Sequence, residues 1–307
     1  MERYIEPKTL AKINDLSLVA KTIAEGFLYG LQRSCQRGIG VEFSQYRAYE
    51  NGDELSRIDW KLYARSDRYF VREAVRESEI NVYFLLDSSR SMSLASQVQY
   101  GSNSLHNNSR TWDKLLYAKH LIASLSFLAQ KQGDAISYLS FNEKTVQFLP
   151  TGNGVKHWHK LLQQLHITES QGNFVNQEQL FGFYDRLRGP ALIILVTDFQ
   201  QHDNEIIRLV KRLNRSRTEL AVLQLQSNDE INFNYRGDLR LRDPETMQQV
   251  EVNADRVKRS YLQALNQRNK KQGEQLAGLG VAEQVFNIDK PLDAALIEYL
   301  KQRSRMG

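Results

Sequence analysis

Two short stretches concentrate the oxygen chemistry of this 307-residue chain. Asp87-Ser88-Ser89-Arg90-Ser91-Met92 directly follows the apolar run Val82-Tyr83-Phe84-Leu85-Leu86, so an acid and two hydroxyls, spaced D-x-S-x-S, leave the end of a strand on one tight loop. A hard divalent cation such as Mg2+ takes oxygen ligands and usually keeps several waters. One carboxylate and two hydroxyls aimed at one point suit such an ion, and so few protein charges leave it able to accept a further carboxylate. Asp198, in Leu195-Val196-Thr197-Asp198-Phe199, also ends an apolar run. If the two strands are neighbours, Asp87, Ser89, Ser91 and Asp198 form one metal site. A local reading of the same residues competes with this one: Asp and Ser side chains bond nearby backbone groups and cap the loop or helix that follows.

The elements that must position these residues are legible in the hydrophobic periodicity. Residues 80–86, 135–141, 191–197 and 219–225 are mostly apolar runs of strand length, and 191–196 is apolar throughout, as a central parallel strand is. Residues 112–132, 156–165 and 204–214 repeat apolar positions at three and four, which predicts helices. Such alternation implies crossovers and a doubly wound, mostly parallel α/β sheet, whose ligands sit beyond the carboxyl ends of the strands. Asp87 and Asp198 both fall there. Residues 145–149 are expected to pair back as a hairpin and 233–241 to form an edge hairpin. A charged amphipathic helix over 255–276, a last strand over 281–288 and a closing helix over 292–303 complete the pattern. Residues 96–109 form a polar loop.

Ahead of the sheet, residues 10–33 place Leu16, Val19, Ile23, Phe27 and Leu31 on one helical face, and 41–79 read as a small β-rich subdomain. The expected organisation is therefore an N-terminal helix with this subdomain over 1–79, and the α/β domain over 80–307.

Composition narrows the function. Forty-one Lys and Arg against 36 Asp and Glu leave a net charge of +5, which permits an acidic partner or peripheral contact with a membrane surface but does not demand nucleic acid. The single cysteine, Cys35, excludes an intramolecular disulfide and a cysteine-rich zinc site. The N-terminal residues lack the apolar core of a signal peptide, and the run 191–196 is too short to span a bilayer, so a cytoplasmic home is expected. The chain has no phosphate-binding glycine motif; any ATP chemistry would belong to a partner. His157 and His159, two apart on a helix, face different ways, His106 sits in the polar loop, and Arg208, Lys211, Arg212 and Arg215 make a solvated helix face.

D-x-S-x-S after one strand, with an Asp after a later one, resembles the metal-ion-dependent adhesion site of von Willebrand factor A domains. The resemblance implies a threonine ligand on an intervening loop, and Thr151 in Pro150-Thr151-Gly152-Asn153-Gly154 is the residue it points to. A more specific stretch runs from Gly40 to Trp60 as G-x-E-F-x-x-x-R-x-Y-x-x-G-D-x-x-x-x-I-D-W and continues through Ala64-Arg65 towards Val71 and Glu79. It is similar to the bacterial domain-of-unknown-function family fifty-eight, and the similarity extends over nearly the whole chain. That resemblance implies the short, soluble branch of the family, a MoxR-type AAA+ ATPase as partner, and a part in maturing a client protein. Within the stretch, Asn51-Gly52-Asp53 suits a turn, Arg47, Arg57 and Arg65 alternate with Asp53 and Asp59 as ion-pair partners, and Trp60 is expected in a core.

The function expected is thus a non-catalytic protein-binding adaptor or assembly factor with a Mg2+-type site at Asp87, Ser89, Ser91, Asp198 and Thr151. Two alternatives stand beside it. A phosphatase-like metal-dependent hydrolase would use Asp87 as nucleophile, but Ser89 stands where a general acid two residues on is needed. A charge-driven binder of nucleic acid or a membrane surface would use the basic balance, but aromatic and basic residues are not interleaved as RNA binding asks.

Overall fold

The structure is a computed structural model that describes residues 80–94, 113–187, 189–201, 204–242 and 248–306, with shorter pieces at 16–18, 20–21, 46–48, 63, 65 and 68–72. Most of the expected helix over 10–33, most of the Gly40–Trp60 stretch with Trp60 itself, Cys35, and the polar loop 96–109 with His106 lie outside the described residues.

The chain divides into two units, Gly26–Glu79 and the remainder, in which Met1–Glu25 joins Ile80–Gly307. In the smaller unit, β1 (Tyr46–Ala48) and β2 (Phe70–Arg72) form an antiparallel pair with Arg47 opposite Val71.

In the larger unit, β3 (Asn81–Asp87), β4 (Ala135–Phe141), β5 (Val146–Gly152), β6 (Ala191–Thr197) and β7 (Thr218–Gln226) build the main sheet. A separate two-stranded ribbon, β8 (Asp238–Arg242) with β9 (Gln249–Asn253), precedes the last strand of the sheet, β10 (Ala282–Asn287). The strand order is β10-β7-β6-β3-β4-β5, parallel except for β5. The chain starts at β3, moves one way to β4 and β5, then returns to the other side of β3 for β6, β7 and β10. The order reverses between β3 and β6, and connections diverge from that point to leave a crevice at the carboxyl ends.

The core explains why the strands are nearly continuous apolar runs. Side chains alternate between faces, and helices cover both. On one face Tyr83, Leu85, Leu139, Phe141, Ile193 and Leu195 pack with residues of α4 (Glu205–Leu213), which follows α1 (Lys114–Gln132), α2 (Gly154–Ile167) and the single-turn α3 (Phe181–Tyr184). Val82, Phe84 and Leu86 turn to the other side, where α1 packs on β3, β4 and β7. Burial of each Leu, Ile or Phe contributes about 1.5–3 kcal/mol. Trp158, on α2, is wholly buried and finds a partner for its indole N–H in Ser126 Oγ at 3.1 Å. Helix α1 opens at Asp113, whose carboxylate accepts from the Leu116 N–H, and stops at Gly133, whose φ of 87° needs glycine.

The doubly wound, mostly parallel α/β architecture expected from the sequence is the one the chain forms. Two local expectations are corrected. The hairpin expected over 233–241 is the independent β8–β9 ribbon further along, because the alternating apolar positions of 239–241 pair with 250–252. A short helix, α5 (Asn228–Asn232), precedes it and ends at Phe233. Strand β5 continues two residues past the turn-prone Pro150 and carries Thr151 within it. Two further helices close the unit, α6 (Ala254–Gly278) and α7 (Leu292–Met306).

Candidate functional site

Adjacent strands bring the two acids together. Leu86 pairs with Val196 in the β3–β6 register, so Asp87 and Thr197, one residue further on each strand, emerge side by side. The Thr197 hydroxyl donates to Asp87 Oδ2 at 2.8 Å. Asp198 is the next residue. Asp87, Ser89, Ser91 and Asp198 are all fully buried, and their oxygens form a continuous chain. Ser89 Oγ lies 3.1 Å from Ser91 Oγ, and the Ser91 hydroxyl donates to Asp198 Oδ1 at 3.2 Å. Four of the five residues expected at a metal site are therefore gathered at one edge.

Local capping accounts for half of Asp87. Its Oδ1 accepts from the Ser89 N–H at 2.9 Å, a turn-forming bond, whereas Oδ2 faces the site. Ser89 begins the 3-10 turn Arg90–Ser93 without a side-chain cap, so its hydroxyl is directed to the site. Ser88 anchors the loop from behind by donating to the Phe141 carbonyl, and it accepts from Asn142 Nδ2 at 3.0 Å.

Thr151 is not brought to the site. Strand β5 runs antiparallel to β4, with Val146 opposite Phe141 and Gly152 opposite Ile136. Phe141 lies beside Asp87, so the chain has travelled to the other end of the sheet by residue 151. Thr151 is exposed there. The loop after α2 lies against the site instead: Ser170 Oγ donates to the Ser89 carbonyl at 2.7 Å, the Gln171 N–H to the Ser88 carbonyl, and the Arg90 N–H to the Gly172 carbonyl. Gly172 has a φ of 61°, and a Cβ there would press on Glu143 at 3.0 Å, so this contact depends on glycine.

Sequence reasoning missed the groups around Asp198. Lys114, the first residue of α1, is wholly buried; its Nζ donates to Asp198 Oδ2 at 3.0 Å and to Glu230 Oε1 at 2.6 Å. Glu230 is held by a capping box on α5: its Oε2 accepts from the Ser227 N–H while Ser227 Oγ accepts from the Glu230 N–H. The spacing Ser227-x-x-Glu230 was the one available signal. Phe199 has a φ of 55°, a strained value for a bulky residue. This bend returns the chain so that the Gln200 N–H bonds Asp198 Oδ1 at 3.1 Å, and it directs Gln201 inwards. Gln201 Nε2 then lies 2.5 Å from Asp87 Oδ2 and 3.5 Å from both Ser89 Oγ and Asp198 Oδ1.

The electrostatics of the two acids differ. Burial, and then the charge of Asp198, push the Asp87 carboxyl up to about 7. Burial pulls the Lys114 ammonium down, but Asp198 and Glu230 outweigh it and hold it above the ordinary lysine value. The donor chemistry suits a hard cation: two carboxylates and two hydroxyls face a point held by an N–H donor, and Lys114 balances only part of the negative charge. Among the described residues no group of three or more His, Cys, Asp or Glu side chains is placed to hold a metal ion, so hydroxyl oxygens would have to share the work. An open groove of about 980 Å³ runs beside the site and is lined by Ser91, Gln200, Gln201, Glu230, Tyr261 and Arg268 among others.

Residues 45–272 match the family described as Protein of unknown function DUF58, and the chain belongs to that family. Over 305 residues it is 23% identical to Uncharacterized protein Mb1516 of Mycobacterium bovis, covering 98% of this chain and 91% of that one. Among solved structures it is similar to an aerotolerance-related membrane protein of Bacteroides fragilis (17% identity, 72% of this chain and 99% of that one, TM-score 0.44). It is also similar to the VWA domain of SpRpn10 (12% identity, 71% and 93%, TM-score 0.38).

The comparisons correct the expected cytoplasmic location. The solved proteins similar to this chain include ones named as membrane proteins, from Bacteroides fragilis and Vibrio fischeri, so a cytoplasmic location is no longer assigned to it. The expectation rested on the want of a signal-peptide core and of an apolar span, and a chain can be held at a bilayer without either. Among the described residues no helix is long and apolar enough to cross a membrane.

Proposed function

We propose that this chain is a non-catalytic protein-binding adaptor in which Asp87, Ser89, Ser91 and Asp198 hold a divalent cation, Mg2+ foremost, and a partner's carboxylate completes the site. One observation carries this reading: four oxygen-bearing side chains from two loops, far apart in sequence, converge at the sheet's switch point, and three of them, Asp87, Ser89 and Asp198, lie within 3.5 Å of one positively polarised atom, Gln201 Nε2. When bound, the cation supplies a Lewis-acid centre for a carboxylate. The chain's own residues supply the rest. Lys114 balances Asp198 and Glu230, Ser170 and Ser88 fix the loop, and the groove past Ser91 and Gln201 gives a partner access. Thr151, at the other end of the sheet, has no part in it.

The partners proposed are a MoxR-type AAA+ ATPase and a client protein whose maturation the pair assists. The test is capture of the nucleotide-free ATPase by immobilised chain in Mg2+ and in EDTA, using wild type and Asp87→Asn. The reading expects capture by wild type in Mg2+, and its loss in EDTA and in the folded variant. Equal capture in all four conditions contradicts it.

A further inference from the structure

We infer that Gln201 is a built-in stand-in for the cation, an amide that competes with the ion for the same oxygens and so sets the site's affinity. The inference rests on the cation reading above and deepens it.

Three observations point the same way. First, Gln201 Nε2 occupies the position the oxygens share, 2.5 Å from Asp87 Oδ2 and 3.5 Å from Ser89 Oγ and Asp198 Oδ1. An amide N–H2 carries the positive end of the group's dipole, so it satisfies the same electrostatic demand as an ion, more weakly. Secondly, the other end of the amide is sacrificed to this placement. Gln201 Oε1 is buried and has no hydrogen-bond partner among the described residues, a state that costs free energy. The donors alone hold the amide; turning it over would press its oxygen against two carboxylates. Thirdly, Gln201 and Ser91 line the open groove, whereas Asp87, Ser89 and Asp198 do not. An ion entering from the groove meets Gln201 before it meets the acids.

The device explains how a buried pair of carboxylates is tolerated without an ion. Lys114 serves Asp198 and Glu230 from one side, and the Gln201 amide serves Asp87 from the other. Phe199 keeps the amide in place through its left-handed backbone, since the bend it makes lies two residues before Gln201.

The experiment titrates Mg2+ and Mn2+ calorimetrically into wild type, Gln201→Met and Gln201→Glu, with circular dichroism of each as a check on folding. Thermal melting at each ion concentration gives a second readout, because an ion that binds the folded chain raises its melting temperature. Methionine keeps the length and removes the donors, so affinity is expected to tighten about tenfold, the order of one lost charge-assisted hydrogen bond. Glutamate replaces the donors with a third carboxylate and is expected to tighten it at least as much. Binding by the variants where wild type shows none also supports the inference. Unchanged or weaker affinity in both folded variants, with wild type binding, overturns Gln201 as a stand-in and leaves the cation reading intact. No binding by wild type or either folded variant overturns both. Should Gln201→Met fail to fold, Gln201→Glu alone decides by the same outcomes.

Discussion

The two carboxylates of the site live under different conditions although they are neighbours. Asp198 faces a full positive charge: Lys114 Nζ at 3.0 Å, itself shared with Glu230. Asp87 faces neutral donors: the Ser89 N–H, the Thr197 hydroxyl and the Gln201 amide. The fold has given one acid a permanent counter-ion and left the other to hold a proton, an amide or an ion from outside. The Asp198 side is thus structural and the Asp87 side is where the site can respond.

Removing Lys114 breaks the structural side. With Lys114→Met, two carboxylates lose the ammonium they share, one of them in a wholly buried position, and breaking such a pair costs about 3–5 kcal/mol. Urea unfolding measures it, and a loss below about 1 kcal/mol would mean that Asp198 does not depend on Lys114.

The responsive side is exposed by pH. The Asp87 carboxyl stands at about 7 in the folded chain against an ordinary 3.8. Between these values the folded chain holds a proton that the unfolded chain has released, so the ion-free stability contributed here falls as pH rises from about 4 to about 7. Urea unfolding in EDTA across that window should show wild type losing stability relative to Asp87→Asn as pH rises. Parallel curves would show that Asp87 is not perturbed.

Ser91 joins the two sides. Ser91→Ala removes its bonds to Ser89 and Asp198, with an expected loss of about 1 kcal/mol and weaker ion binding by calorimetry. Thr151→Ala should be the mildest change, within about 0.5 kcal/mol and without effect on ion affinity, since Thr151 lies exposed at the far end of the sheet.

Legibility in the sequence followed the range of the interactions. β3 and β6 were readable because buried parallel strands are unbroken apolar runs, and the acids at their ends were readable because the switch point of such a sheet lies there. Thr151 was misplaced because Pro150 and Gly152 suggest a loop, whereas the chain stays in β5 and the antiparallel reversal takes it away from the site. Lys114 was unreadable for a different reason. Its partners stand 84 and 116 residues away, and nothing in a helix-opening lysine marks it as buried. Gln201 gave no signal either, because its placement depends on the left-handed bend at Phe199.

The most direct test is a crystal grown in Mn2+ and measured for anomalous scattering. The account predicts one strong peak among Asp87, Ser89, Ser91 and Asp198, with the Gln201 amide displaced from its place beside Asp87 Oδ2. No peak there at saturating Mn2+, with Gln201 still between the two acids, would contradict it.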